Sequence, residues 1–243
     1  TLRWKRPGSV WAIDYTKPPL PVDGRYPAIF MTRDLASAKQ LLSLPVEAEG
    51  EQATIGALES LFVEYGAPLV VKADNGGPVS GEAVQTLLSR RGVDILLSPA
   101  NTPSYKGAVE AGNGSLKTRA HHISAWQGRP GEWTCDDVEG ARLMANETAT
   151  PNGLHGPTPD QSWDNRSPIS TEERAVFRRT LQEMRIAVAQ EQSDLFNAGL
   201  KTLSQSDMNR VAISRSLTAC GFLEFRRKRI PLPIIPRFRK KIS

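Results

Sequence analysis

The 243-residue chain reads as an α/β protein: a mixed five-stranded sheet with helices on both faces, continued by a helical C-terminal extension and a basic tail. Three observations predict this. Three apolar, β-prone runs come first, joined by short links that favour an antiparallel meander. Strands then alternate with helical periodicity, which implies right-handed crossovers and parallel pairing. Last, residues 224–243 hold eight basic side chains against one acid, whereas residues 1–223 hold 23 basic and 25 acidic ones.

The first strand is Val10–Thr16, apolar, with Asp14 near its end. A turn-rich stretch, Lys17-Pro18-Pro19-Leu20-Pro21-Val22-Asp23-Gly24, leads to a second strand over 26–32, and a third covers Gln40–Val46. Ile55, Leu58, Leu61, Phe62 and Tyr65 then fall at helical spacing, and Gly66 supplies a stop. A short buried strand over 69–73 delivers Asp74. Ser80 can cap a helix carrying Val84, Leu87 and Leu88, which Gly92 ends before a strand over 93–97. Residues 98–103 read as a loop, 106–126 and 136–148 as helices. A sheet of this kind takes ligands at the carboxyl ends of its parallel strands.

Residues 149–168 are rich in Pro, Gly, Asn and Asp and read as a linker or wrapped loop. Ser170-Thr171-Glu172-Glu173 is a capping box opening a long helix, along which Phe177, Leu181, Met184, Val188 and Leu195 make a stripe. The stripe is too short for a coiled coil and is expected to pack on the core. A further helix spans 207–219 and ends at Gly221, and the three prolines of the tail exclude a central strand. The expected division is a core over 1–165, a helical extension over 166–223 and the tail over 224–243.

Composition is that of a globular protein, 39% hydrophobic and 23% charged. No run approaches the roughly 18 apolar residues of a membrane span, and no basic-then-apolar signal segment opens the sequence. Cys135 and Cys220 lie far apart and outside any C-x-x-C pattern, which argues against a disulfide framework or a cysteine zinc site and for a reducing cytoplasm. The chain opens Thr1-Leu2-Arg3-Trp4 without methionine, as expected of a fragment or of initiation at an unusual codon. A basic tail on a near-neutral body points to a polyanionic partner.

Three acids carry the candidate chemistry. Asp74 and Glu110 are separated by 35 residues, and Asp14 lies upstream in another apolar run. Magnesium takes oxygen ligands and keeps several waters, so two or three carboxylates can hold it against a phosphate. A pair of such ions about 4 Å apart can activate a water or 3′-hydroxyl and stabilise the leaving oxygen. Asp14 would bridge the two ions, Asp74 would hold one and Glu110 the other. Taken singly each acid has a plainer role, since Asp-Asn-Gly is a common turn and a helical Glu is usually a surface residue.

The segments Trp11-Ala12-Ile13-Asp14-Tyr15-Thr16, Gly66-Ala67-Pro68 with Ala73-Asp74-Asn75-Gly76, and Ser98-Pro99 through Lys106-Gly107-Ala108-Val109-Glu110 resemble the integrase core of bacterial insertion-sequence transposases. These are relatives of retroviral integrases with a ribonuclease-H-like fold and an Asp-Asp-Glu triad. Thr158-Pro159-Asp160-Gln161-Ser162-Trp163 also resembles the family's closing segment, so the resemblance covers roughly residues 4–165. The family's basic residue seven positions after the Glu is matched by Lys117, two helical turns on and so on the same face, with Asn113 and Gly114 between. Ala111 stands where many relatives carry Arg, and these residues include neither a helix-turn-helix ahead of the core nor a His/Cys zinc domain.

The resemblance implies a transposase or integrase whose catalytic and metal-binding residues are Asp14, Asp74 and Glu110, using two Mg2+ ions for which Mn2+ can substitute. It implies DNA as partner, both transposon ends and target, a homo-oligomer assembled on DNA, and a bacterial, nucleoid-associated location. Lys117 and Asn113 would contact DNA beside the metals. Arg226, Arg227, Lys228 and Arg229 begin a tail able to track a phosphate backbone without reading sequence. His121, His122 and His155 are not needed as bases, and the first two read as packing or DNA-facing residues. Two other readings compete: an inactive or truncated transposon-derived DNA-binding protein, and a ribonuclease-H-like nuclease acting on RNA–DNA hybrids.

Overall fold

The computed structural model describes residues 2–74, 77–78, 81–98 and 107–226, with the backbone alone for 107–109. After a short β1 (Leu2–Trp4), strands β2 (Val10–Thr16), β3 (Ala28–Asp34) and β4 (Gln40–Val46) form the antiparallel meander. Strands β5 (Val70–Ala73) and β6 (Asp94–Leu97) add in parallel on the other side of β2. The sheet order is β4-β3-β2-β5-β6, the mixed five-stranded sheet expected from the sequence.

Alternation along the strands sorts the core into two faces. Trp11 and Ile13 of β2, Phe30 of β3 and Val71 and Ala73 of β5 turn one way. They meet Leu58 and Leu61 of α1 (Glu51–Tyr65) and Val84 and Leu88 of α2 (Glu82–Arg90). Ile29 and Met31 of β3 turn the other way, against Leu116 and Ala120 of α3 (Gly107–Trp126) and Val138 and Ala141 of α4 (Cys135–Thr148). Each large apolar side chain so buried contributes on the order of 1.5–3 kcal/mol.

The second face is completed by α6 (Thr171–Asn197) and α7 (Gln205–Ala219), whose Phe177, Leu181, Ala212, Ile213 and Leu217 pack on Val10, Leu69, Val70 and Leu96. The long helix thus lies on the sheet, as its stripe suggested. Its C-terminal end differs: Gln192 is buried where Leu195 was expected, and Gln192 Oε1 accepts from the Leu203 amide at 2.7 Å. That bond closes the turn between the two helices.

Besides α7, which begins two residues before the expected 207, three elements depart from the sequence reading. The second strand begins two residues later than expected, because Val22 and Tyr26 exchange both backbone bonds at 2.9 Å and Pro27 has no N–H to donate. Within the stretch read as loop lies α5 (Pro159–Asp164), started by a capping box between Thr158 and Gln161 with proline at the first turn. It seats Trp163 among the α1-face core residues. Finally, β1 pairs antiparallel with β7 (Leu223–Phe225), Leu2 opposite Phe225, in a separate two-stranded sheet. Such short strands carry no periodic signal of their own.

The expected cap Ser80 lies outside the described residues. The N-cap of α2 is Gly81, over which the Glu51 carboxylate of α1 lies: a Cβ there would fall 1.8 Å from Glu51 Oε1. No described helix is long and apolar enough to cross a membrane.

Candidate active site

Ala12 of β2 stands in register with Lys72 of β5, and Ala73 with Leu97 of β6. Side chains two apart share a face, so Asp14 and Lys72 point to the side covered by α3. Asp74 follows at the end of β5, and Ser98 at the end of β6, its amide bonded to the Ala73 carbonyl at 2.9 Å. Ile13, Asp14, Lys72, Ala73, Asp74, Ser98 and Glu110 together line a cavity of about 130 Å³. It opens at the carboxyl ends of the parallel strands, where an α/β sheet leaves its crevice.

Helix α3 brings Glu110 to this cavity through two kinds of contact. Leu116 and Ala120 pack on Ile29 and Met31, and Met31 is the cross-strand partner of Asp14. Two residues after Glu110 the helix runs close over Arg33: a Cβ on Gly112 would come within 2.8 Å of that guanidinium. The Gly112 carbonyl also accepts from Gln40 Nε2 at 3.3 Å. These contacts hold the start of α3 over β3 and β4, beside the strand ends.

Asn113, expected on the DNA-facing side, is turned inward here. Its side-chain amide donates to Asp14 Oδ2 at 2.8 Å. Lys72 also belongs to the site, although the sequence reading passed over it. It is only 4% exposed, and burial pushes its ammonium pKa down to about 8, against the opposing pull of Asp74. A lysine inside the apolar run 69–73 was the signal that could have marked it. Ser98 is the other lining residue that spacing did not suggest.

The donor set suits a hard divalent cation, since the cavity gathers three carboxylates and a hydroxyl, all oxygen. Among the described residues, however, no three His, Cys, Asp or Glu side chains are grouped closely enough to hold an ion between them. The acids share a cavity without converging on one point, and the Lys72 ammonium is the positive charge among them.

Lys117 is half-buried on α3, seven residues after Glu110. His121 and His122 are exposed, which removes a packing role, and His155 is exposed on the loop before α5. Arg226 Nε donates to Glu224 Oε1 at 3.0 Å just beyond β7. Asn75, Gly76, Arg227, Lys228, Arg229 and the rest of the tail lie outside the described residues.

No protein-family model matches the chain. Over 119 residues it is 30% identical to the Gag-Pol polyprotein of feline leukemia virus, a match covering 47% of the chain and 7% of that polyprotein. Over 160 residues it is 29% identical to the Pol polyprotein of radiation murine leukemia virus (strain Kaplan), covering 65% of the chain and 26% of the polyprotein. The chain therefore spans about a quarter or less of the curated relatives it matches.

Among solved structures, an intasome of simian T-cell lymphotropic virus matches with a TM-score of 0.58 at 19% identity, over 66% of this chain and 56% of that one. The HTLV-2 integrase catalytic core domain in complex with magnesium (dimeric form) matches with a TM-score of 0.53 at 20% identity, over 66% of this chain and 99% of that one. The catalytic core domain of BIV integrase gives 0.51 at 20% identity, over 64% and 93%. At these identities the likeness establishes the fold alone: the five-stranded sheet and its helices form the ribonuclease-H-like fold of an integrase catalytic core.

Proposed function

We propose that the chain is a DNA transposase or integrase, a polynucleotidyl transferase that cleaves a DNA end and joins the freed 3′-hydroxyl to target DNA. One observation carries the reading: Asp14, Asp74 and Glu110, from two neighbouring strands and a helix far apart in sequence, line a single cavity at the carboxyl end of an integrase-like sheet. Sequence similarity to viral Pol polyproteins supports the same class. The bacterial insertion-sequence origin rests on the motif resemblance.

In this reading Asp14, Asp74 and Glu110 hold two divalent ions, magnesium by analogy with the HTLV-2 core, which was solved with that metal. Bound there, the ions supply Lewis-acid stabilisation of an in-line displacement and lower the pKa of the attacking hydroxyl. The protein's part is positional. Asn113 fixes the orientation of the Asp14 carboxylate. Gln40, by donating to the Gly112 carbonyl, helps to hold the Glu110 end of α3 over the sheet. Lys117, on the Glu110 face of α3, meets a phosphate of the DNA beside the cavity. The basic tail adds sequence-independent, salt-sensitive affinity. Assembly of two or more copies on DNA is proposed from the intasome and the dimeric core among its structural neighbours.

The test is Glu110→Gln in a magnesium-dependent cleavage and joining assay with DNA ends taken from the flanking genome. Activity is expected to fall to background while DNA affinity is kept. Full activity in that variant would overturn the assignment. A second reading, a DNA-binding protein without catalysis, is favoured by the lack of a ligating group of three among the described residues. It predicts DNA binding by the wild-type chain with no cleavage at any magnesium concentration.

A further inference from the structure

The edge strand β6 is gripped by the α6–α7 hairpin at both ends. At its start, Arg185 Nη2 of α6 bonds Asp94 Oδ1 at 2.7 Å, with Asn209 Oδ1 accepting from the same guanidinium at 3.0 Å. At its end, Arg210 Nε of α7 donates to the Leu97 carbonyl at 3.1 Å. Arg210 is itself fixed: its Nη1 donates to Asp207 Oδ1 at 2.5 Å, and Asp207 Oδ2 accepts from the Ser204 hydroxyl at 2.7 Å in the first turn of α7. The Arg210 side chain is 16% exposed.

The two grips differ in what lies beside them. Asp94 and Leu97 are about 10 Å apart along the strand at the usual rise per residue. Asp94 faces the end of the sheet remote from the acids. Leu97 pairs with Ala73, the residue before Asp74, and is followed by Ser98, which lines the cavity. An outward carbonyl on an edge strand needs some donor. Here that donor is an arginine clamped at the first turn of another helix, placed at the last β6 residue before the chain passes to α3 and Glu110.

We propose that Arg210 is a positioning residue of the candidate active site: by holding the Leu97 carbonyl it fixes the paired ends of β6 and β5, and with them Ser98 and Asp74. The inference rests on the function proposed above for its catalytic consequence. It makes α7 part of the site's framework.

The test compares Arg210→Met, Arg210→Lys and Arg185→Met in the full chain, by hydrogen–deuterium exchange and by magnesium-dependent cleavage. Arg210→Met is expected to speed exchange at the Ser98 amide about tenfold, as loss of one charge-assisted hydrogen bond would. It should lower kcat by a similar factor with KM for DNA unchanged. Arg210→Lys should recover most of both, and Arg185→Met should leave Ser98 exchange and kcat as in the wild type. Equal exchange at Ser98 in the two methionine variants would overturn the inference whatever the activity. So would faster exchange with unaltered kcat in an active protein. Inactivity of the wild-type chain sinks the proposed function alone, and the exchange arm then decides whether Arg210 fixes the strand ends.

Discussion

The side-chain amide of Asn113 donates to Asp14 Oδ2 at 2.8 Å, tying the second turn of α3 to the central strand β2 across 99 positions of sequence. The bond joins a helix that carries one candidate ligand to a strand that carries another. An amide can donate to a carboxylate without adding charge to a site already rich in acids.

Replacing that residue tests whether the orientation of Asp14 matters. A hydrogen bond to a charged group contributes about 1.5–3 kcal/mol, and if it is fully felt in the transition state its loss is worth roughly one to two orders of magnitude in rate. Asn113→Ala is therefore expected to lower the magnesium-dependent cleavage rate by about 10- to 100-fold, with DNA affinity little changed. If Asn113 acted mainly through DNA, the variant would instead show weaker binding with cleavage at saturating DNA intact. A binding isotherm and a single-turnover rate on the same preparation separate the two.

The parts of this architecture legible in the sequence are those written locally. Apolar, β-prone runs gave β2 and β4, helical spacing with Gly66 and Gly92 gave α1 and the end of α2, and two acids at strand ends with a third on a helix pointed to the cavity they line. What could not be read depends on long-range pairing. Leu2 and Phe225 meet at opposite ends of the described chain, and neither three-residue strand has a pattern to announce it. The α5 turn was hidden by the proline-rich composition around it, although Thr158 and Gln161 spell its capping box. The residues around Lys72 read as plain core, yet a buried ammonium needs an opposing charge, and Asp74 at the end of the same strand supplies one.

Lys72 leads to the second prediction. In the absence of metal its ammonium sits among Asp14, Asp74 and Glu110 in one cavity. A divalent ion entering that cavity must bind against this positive charge. Lys72→Met removes the competing charge while keeping side-chain length. Magnesium should then bind more tightly, and because a ligand stabilises the state it binds, the rise in Tm on adding magnesium should exceed that of the wild type by about 3–5 °C. Thermal denaturation with and without magnesium, each at matched ionic strength, gives the comparison. Equal increments in both proteins would mean that Lys72 does not share the ion's site.

The last prediction concerns the support behind α3. Asp137 of α4 is 1% exposed. Burial alone would raise its pKa, but the Thr134 amide and hydroxyl and the Arg129 guanidinium outweigh it and hold the carboxyl below its ordinary value. The Thr134 amide donates to it at 2.9 Å, and Arg129 reaches both its oxygens at 3.1 and 3.3 Å. Removing this carboxylate deletes half of a capping box and takes from Arg129, about a third exposed, its carboxylate partner, so Asp137→Ala should cost about 2–4 kcal/mol. The sign with pH follows from the depressed pKa. The ionised form is favoured in the folded state, so its contribution is complete above the unfolded value of about 3.9 and is lost as pH falls through the lower folded value. Urea unfolding between neutral pH and about pH 3 should therefore show the gap between wild type and Asp137→Ala shrinking below about pH 4. A gap constant across that range would mean that the loss reflects packing alone.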